Sequence, residues 1–212
     1  MDQIIEYMPG ILIAYGAFSL GMLSPGPNIM SVIGTSMSSG RRSGMSLALG
    51  VATGTFFWGV LALLGFTTIL SLYASSLIVI KIFGATYLLW LAFKAFRSAS
   101  STQEITTKGL KNIENTFAYY RQGLLIQMTN PKAALTWIAV MSLAVDTSAP
   151  AWVGGAIVLG TTIISTAGHL VYALAFSTSP MVAAYGRARR WVDASLGVFF
   201  CFASYKILTS KS

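Results

Sequence analysis

Ser24-Pro25-Gly26-Pro27-Asn28 interrupts a stretch that carries no charged residue from Glu6 to Arg41. At about 1.5 Å per residue, one helix over that stretch would run about 50 Å, well past a hydrocarbon core about 30 Å thick. Such a helix must break or continue beyond the membrane, and the prolines mark the place. Proline has no N–H and cannot bond the carbonyl four residues earlier. Pro25 opens the Gly21 carbonyl and Pro27 the Leu23 carbonyl, while Gly26 between them adds permissive dihedrals. In hydrocarbon an open carbonyl is costly, so irregular backbone survives only inside protein or beside a water-filled cavity.

The composition supplies the hydrocarbon. Of 212 residues, 55% are hydrophobic and 9% charged, where a soluble domain carries about 25% charge. So few polar groups cannot cover a water-soluble surface, and lipid must cover the exterior. The net charge of +8 would suggest nucleic acid in a soluble protein. Here the basic residues fall between apolar runs, no long polar domain exists to make a nucleic-acid face, and the charges orient helices instead. The single cysteine, Cys201, forms no internal disulfide and lies in the last apolar segment. The start, Met1-Asp2-Gln3-Ile4-Ile5-Glu6, lacks a basic region and a small-residue cleavage signal, and reads as a retained first helix.

Charges divide the chain into six expected spans. The first is broken at Pro25 and Pro27. The second covers roughly 44–70, the third 76–96, the fourth 119–144, the fifth 152–176 and the sixth 191–208. Residues 98–118 form the longest polar loop, and Pro180 to Arg190 reads as a basic loop. The expected organisation over 1–212 is one transmembrane transporter domain: 1–97 as a first three-helix half, 98–118 as a cytoplasmic loop, 119–212 as a second half. Arg41 and Arg42, then Lys94, Arg97, Lys108, Lys111 and Arg121, then Arg187, Arg189 and Arg190 gather on one side; Asp2, Glu6, Asp146, Lys81, Lys206 and Lys211 fall on the other. The positive-inside rule places the basic loops in the cytoplasm and both termini outside. The two halves then run in opposite directions. Asn130-Pro131-Lys132 interrupts helix 4 as Ser24 to Asn28 interrupts helix 1. Paired interruptions point to inverted repeats with a binding site at the breaks.

The candidate binding residues are therefore Ser24, Pro25, Gly26, Pro27, Asn28, Gln127, Asn130, Pro131 and Lys132. Pro131 opens the Gln127 carbonyl. Lys132 lies about halfway along the fourth span, too deep to reach an interface comfortably, and intramembrane lysines face cavities and carry function. His169, one turn from Ser165, and Asp193, just after the arginines, are candidates for ion coupling. A packed histidine and a local salt bridge are the plainer readings of the same two residues. Gly50 and Gly54 form a G-x-x-x-G step that permits close helix approach, either within the bundle or across a homodimer.

At Ser24-Pro25-Gly26-Pro27-Asn28, followed by Ser39-Gly40-Arg41-Arg42-Ser43-Gly44, the chain resembles the LysE/RhtB family of bacterial amino-acid exporters. The resemblance continues in Lys81-Ile82-Phe83-Gly84-Ala85-Thr86-Tyr87-Leu88-Leu89-Trp90-Leu91 and at Asn130-Pro131-Lys132-Ala133. It implies secondary export of amino acids or related metabolites across the bacterial cytoplasmic (inner) membrane, with proton motive force as the drive, a small-molecule substrate and lipid as the partners, and no cofactor. It names no single substrate. A metal-cation exporter on the same fold is the main alternative, but metal sites gather His, Cys, Asp or Glu, and here these residues are few and scattered. No H-E-x-x-H motif is present, and a Ser165–His169 dyad would have to come from one helix. The chain reads as a transporter, with no catalytic residues and no metal site.

Overall fold

A computed structural model describes residues 2–23, 26–72, 76–101, 115–144 and 149–209. Among these residues the protein is all helical: α1 (Asp2–Leu23), α2 (Pro27–Ser39), α3 (Arg41–Leu72), α4 (Ser76–Ala99), α5 (Thr116–Met128), α6 (Pro131–Ala144), α7 (Ala151–Ala175) and α8 (Ser179–Thr209). Ser24, Pro25, Lys108, Lys111 and Asp146 lie outside the described residues.

Among the described residues, three stretches are long and apolar enough to cross a membrane: Ile4–Leu23, Arg41–Gly65 and Ala151–Ala175. Pro131–Leu143 is apolar but shorter. The outer surface is as oily as the interior. Ile163 is 68% exposed and Phe83 66%, a pattern that only a lipid solvent accommodates over so many positions.

Both expected interruptions are real breaks, and each proline opens a helix instead of kinking one. Pro27 starts α2 after Gly26, whose backbone is extended, and Pro131 starts α6. At the first helical position the missing N–H is one that no helix bond requires. One residue, Gly40 with φ of 87°, separates α2 from α3; glycine adopts this positive φ without a Cβ penalty.

The expected loop from Pro180 to Arg190 is instead helix. α8 is continuous from Ser179 to Thr209, where the sequence suggests a start near residue 191. Pro180 falls in the first turn, where proline is tolerated, and the alanines and arginines that follow are good helix formers. Their charge marks a solvated helix end, not a loop.

The closest backbone approach joins α3 and α5. A Cβ on Gly50 would overlap the Tyr120 carbonyl oxygen, and one on Gly123 would overlap the Leu47 carbonyl oxygen. Four residues on, a Cβ at Gly54 would lie 2.7 Å from Cβ and Cγ of Gln127. The G-x-x-x-G step is thus occupied within the chain. One apolar core, with Phe18, Trp137, Val140, Met141 and Ile157, ties α1, α6 and α7 together. A second, with Leu88, Leu91, Ala139, Leu196 and Phe200, joins α4 to α8 and α6. Tyr15 pins α1 to α7 by donating its hydroxyl to the Ala156 carbonyl at 2.7 Å.

Gly123→Ala should lower the unfolding free energy by about 1–3 kcal/mol through overpacking against backbone. Gly155→Ala, where an added Cβ meets nothing within 4 Å, should be neutral or slightly stabilising. Equilibrium unfolding in mixed detergent micelles compares the two; equal stability would mean that the α3–α5 contact simply relaxes.

Candidate functional site

The second break shows where the open carbonyls go. Asn130 precedes Pro131 and caps α6 with its own side chain: Lys132 N–H donates to Asn130 Oδ1 at 3.0 Å, and Ala133 N–H donates to the Asn130 carbonyl at 2.9 Å. The Gln127 carbonyl, expected to stand open, is doubly occupied. Asn130 N–H donates to it at 3.2 Å and Trp58 Nε1–H at 3.0 Å. The physical reason is that α3 passes close enough for an indole to replace the bond that proline removes. What Gln127 contributes to the cavity is its side-chain amide.

The amides form a continuous chain across the bundle. Asn130 Nδ2 donates to Asn28 Oδ1 at 2.9 Å, and Asn28 Nδ2 donates to Gln127 Oε1. Gln127 Nε2 donates to Thr55 Oγ1 at 2.9 Å, and Thr55 Oγ1 lies 3.1 Å from Ser165 Oγ. His169 Nδ1 ends the chain, 2.8 Å from the Ser165 carbonyl and 3.2 Å from its hydroxyl. A carbonyl only accepts, so the shorter bond places a proton on Nδ1 and leaves Nε2 as the acceptor nitrogen. The first turn of α2, the break before α6, and the middles of α3 and α7 are thereby linked by side chains alone.

These residues wall a cavity of about 50 Å³ lined by Gly21, Gly26, Asn28, Thr55, Gln127, Asn130, Lys132 and His169 on its polar side, and by Phe18, Met22, Ile29 and Trp137 on its apolar side. One water needs about 10–15 Å³ by this measure, so there is room for a few waters or a small polar solute. Lys132 stands in the first turn of α6. Its carbonyl is held by Thr136 Oγ1 at 2.7 Å and Tyr87 Oη at 3.0 Å. Trp137 is buried, and its Nε1 finds no hydrogen-bond acceptor among the described residues, an uncommon state for a buried donor.

Gly26, Asn28, Gln127, Asn130, Lys132 and His169 therefore meet at one cavity, with Pro27 and Pro131 setting the helix starts that shape it. Leu23 is exposed and is not part of the wall. Asp193 is elsewhere: it is buried between α8 and α4, accepts from Ser98 Oγ at 2.7 Å, and lies 3.5 Å from Arg189 Nε. Sequence reasoning did not find Thr55, Thr136, Tyr87, Trp58 or Trp137. Two of them carry a local signal: Thr55 adjoins Gly54, where Gln127 is seated, and Tyr87 lies in the Lys81 to Leu91 stretch quoted above. The cavity offers one lysine amine, amide donors and acceptors, hydroxyls and two positive helix ends, beside an apolar wall. That set suits a small zwitterion better than a metal ion.

The class defined by this arrangement is a helical membrane transporter. Residues 19–211 match the family model for the LysE type translocator, and the chain belongs to that family. It is 30% identical to the membrane protein YahN of Escherichia coli (strain K12), over 100% of this chain and 96% of that protein. It is 28% identical to the threonine efflux protein of Salmonella typhi and 26% identical to that of Escherichia coli (strain K12), in each case over 91% of this chain and 94% of the relative. No solved structure matches the chain. It is a multi-pass membrane protein.

Asn130→Ala removes both the helix cap and the bond to Asn28, and should cost about 1 kcal/mol in stability for the cap alone. Asn130→Ser keeps a capping oxygen and should recover most of that loss. Unfolding of both variants in mixed micelles checks this; equal losses would assign the role to the Asn28 contact instead.

Proposed function

We propose that this protein is a secondary transporter that exports amino acids or closely related small metabolites from the bacterial cytoplasm, driven by proton motive force. The observation that carries the reading is the meeting of both helix breaks at one cavity, with Lys132 in its wall at the second break. The names of the threonine efflux relatives favour a small polar amino acid as substrate.

The architecture under this reading is six spans: α1 with α2, α3, α4, α5 with α6, α7 and α8. They form two inverted three-helix repeats whose basic ends face the cytoplasm and whose termini lie outside. Helix pairing supports it. α3 packs on α5 as α7 packs on α1, α3 on α6 as α7 on α2, and α1 on α6 as α2 on α5, with α3 against α7 and α4 against α8 across the centre. Exchanging the halves maps the first three pairs of contacts onto one another and the last two contacts onto themselves, whereas α2 on α3 and α4 on α6 have no counterpart of similar extent.

The substrate carboxylate is received by Lys132 and the N-termini of α2 and α6, which carry positive partial charge. Trp137 Nε1 is a further donor within the same wall. The ammonium group is received by the amide oxygens of Asn28, Asn130 and Gln127 and by the Gly21 carbonyl; the Gln127 carbonyl is held by Trp58 and takes no part. Rocking of one half against the other exposes the cavity alternately to the two sides. Of the two candidates for proton coupling, His169 shares the hydrogen-bond chain of the cavity, whereas Asp193 sits in a separate cluster. The geometry favours His169.

Cells expressing the protein and loaded with a panel of dipeptides should release one class of amino acid faster than control cells. Lys132→Ala should abolish that release while the variant still inserts in the membrane. Retained export would remove Lys132 from the site, and no accelerated release of any amino acid would overturn the substrate class.

Coupling is read separately in vesicles. His169→Gln should lose uphill export but keep exchange of labelled for unlabelled substrate, with Asp193→Asn as the comparison. The reverse pattern would assign coupling to Asp193.

A further inference from the structure

A second concave site lies between α4 and α8. Trp90, Phe93, Lys94, Arg97 and Ser98 of α4 and Arg189 of α8 border a groove of about 410 Å³. It shares no lining residue with the transport cavity. Lys94 Nζ stands 4.5 Å from the centroid of the Trp90 ring. Arg189 Nη2 donates to Ser98 Oγ at 2.9 Å, and its Nε lies 3.5 Å from Asp193 Oδ2.

Among the described residues no carboxylate lines this groove; Asp193 is buried beneath it and engages Arg189. Lys94 and Arg97 are exposed and make no ion pair with a carboxylate among the described residues. Basic side chains that line one groove without a counter-charge favour an anion among them. The rim is apolar: Trp90 is 47% exposed and Phe93 62%. Aromatic side chains beside basic ones at a helix end are the pattern of a membrane–water interface. A free anion would have no use for that rim, whereas a diacyl lipid presents a phosphate and an acyl chain at just this spacing of chemistry.

We propose that this groove holds the headgroup of one anionic phospholipid. Lys94, Arg97 and Arg189 face its phosphate in charge-assisted hydrogen bonds, the Ser98 hydroxyl stands beside it, and the acyl chains lie along Phe93 and the outer face of α4. Asp193 and Ser98 act as positioning residues that hold Arg189 in place. The lipid bridges α4 and α8 at the end that the charge distribution assigns to the inner leaflet.

Trp90 makes the test direct. The full chain is reconstituted in phosphatidylcholine nanodiscs containing phosphatidylglycerol with brominated acyl chains, and compared with discs in which the brominated lipid is phosphatidylcholine at equal mole fraction. Brominated phosphatidylglycerol should quench tryptophan fluorescence more strongly, and the excess should vanish in Trp90→Phe. Lys94→Gln combined with Arg97→Gln should weaken the apparent affinity by about tenfold or more; both side chains are exposed, and Arg97→Lys should retain the preference. Equal quenching by the two lipids in the unmodified protein would overturn the proposal, as would an undiminished preference in the double variant. If millimolar inorganic phosphate abolishes the excess quenching, the groove is a free-anion site and the lipid assignment is wrong. Transport is not measured in these experiments, so failure here leaves the export reading untouched.

Discussion

The contact on which the rest of the structure depends is the backbone approach of α3 to α5 through Gly50 and Gly123. With no side chain between them, the two helices lie close enough for α3 to supply what a broken helix in hydrocarbon lacks. Trp58 reaches the Gln127 carbonyl, Thr55 receives the Gln127 amide, and Gly54 leaves space for the Gln127 stem. Were α3 held off by even one methyl group, the Gln127 carbonyl would keep only the Asn130 N–H, and the Gln127 amide would lose its acceptor in a medium with no water to replace it.

The two breaks follow one local grammar and differ in how they are completed. Each has a proline at the first helical position, so a new helix begins where the old one stops. Asn130 caps its own helix and still has an amide nitrogen to give Asn28. Asn28 sits inside the first turn of α2 and passes the connection to Gln127. The result is a pair of positive helix ends held at a fixed separation by neutral groups, with Lys132 as the cation on that wall. Charge that would be expensive alone in a bilayer is here concentrated where a carboxylate can meet it. The buried Asp193 is held by Ser98 and Arg189 between α4 and α8, outside the cavity wall, so ionisable residues that look equivalent along the sequence fall into different local environments.

Much of this was legible from residue order. Paired prolines in uncharged stretches locate the breaks because the missing N–H is a chemical fact independent of packing. A lysine at mid-span declares a cavity because the bilayer offers it no other tolerable surroundings. What could not be read was everything that depends on which helix passes near which. Trp58 looks like any apolar residue until α3 is laid against α5. Thr55, Thr136 and Tyr87 are ordinary membrane-helix residues whose hydroxyls acquire meaning only from their distance to Lys132 or Gln127. The start of α8 was misread for a different reason: proline and arginine are loop-like by polarity, yet Pro180 occupies the one helical turn that accepts proline, and arginine favours helix.

The amides at the cavity spend their hydrogen bonds on one another. An incoming solute therefore meets no row of waiting donors and acceptors; it must trade places with partners that are already satisfied, and only the difference between old and new bonds counts toward its affinity. Such an exchange lowers affinity relative to a site whose partners stand free, and a site of lower affinity fills only at higher solute concentration. In an exporter, self-occupied amides would act as a threshold, sparing the cell's working pool and venting only the excess.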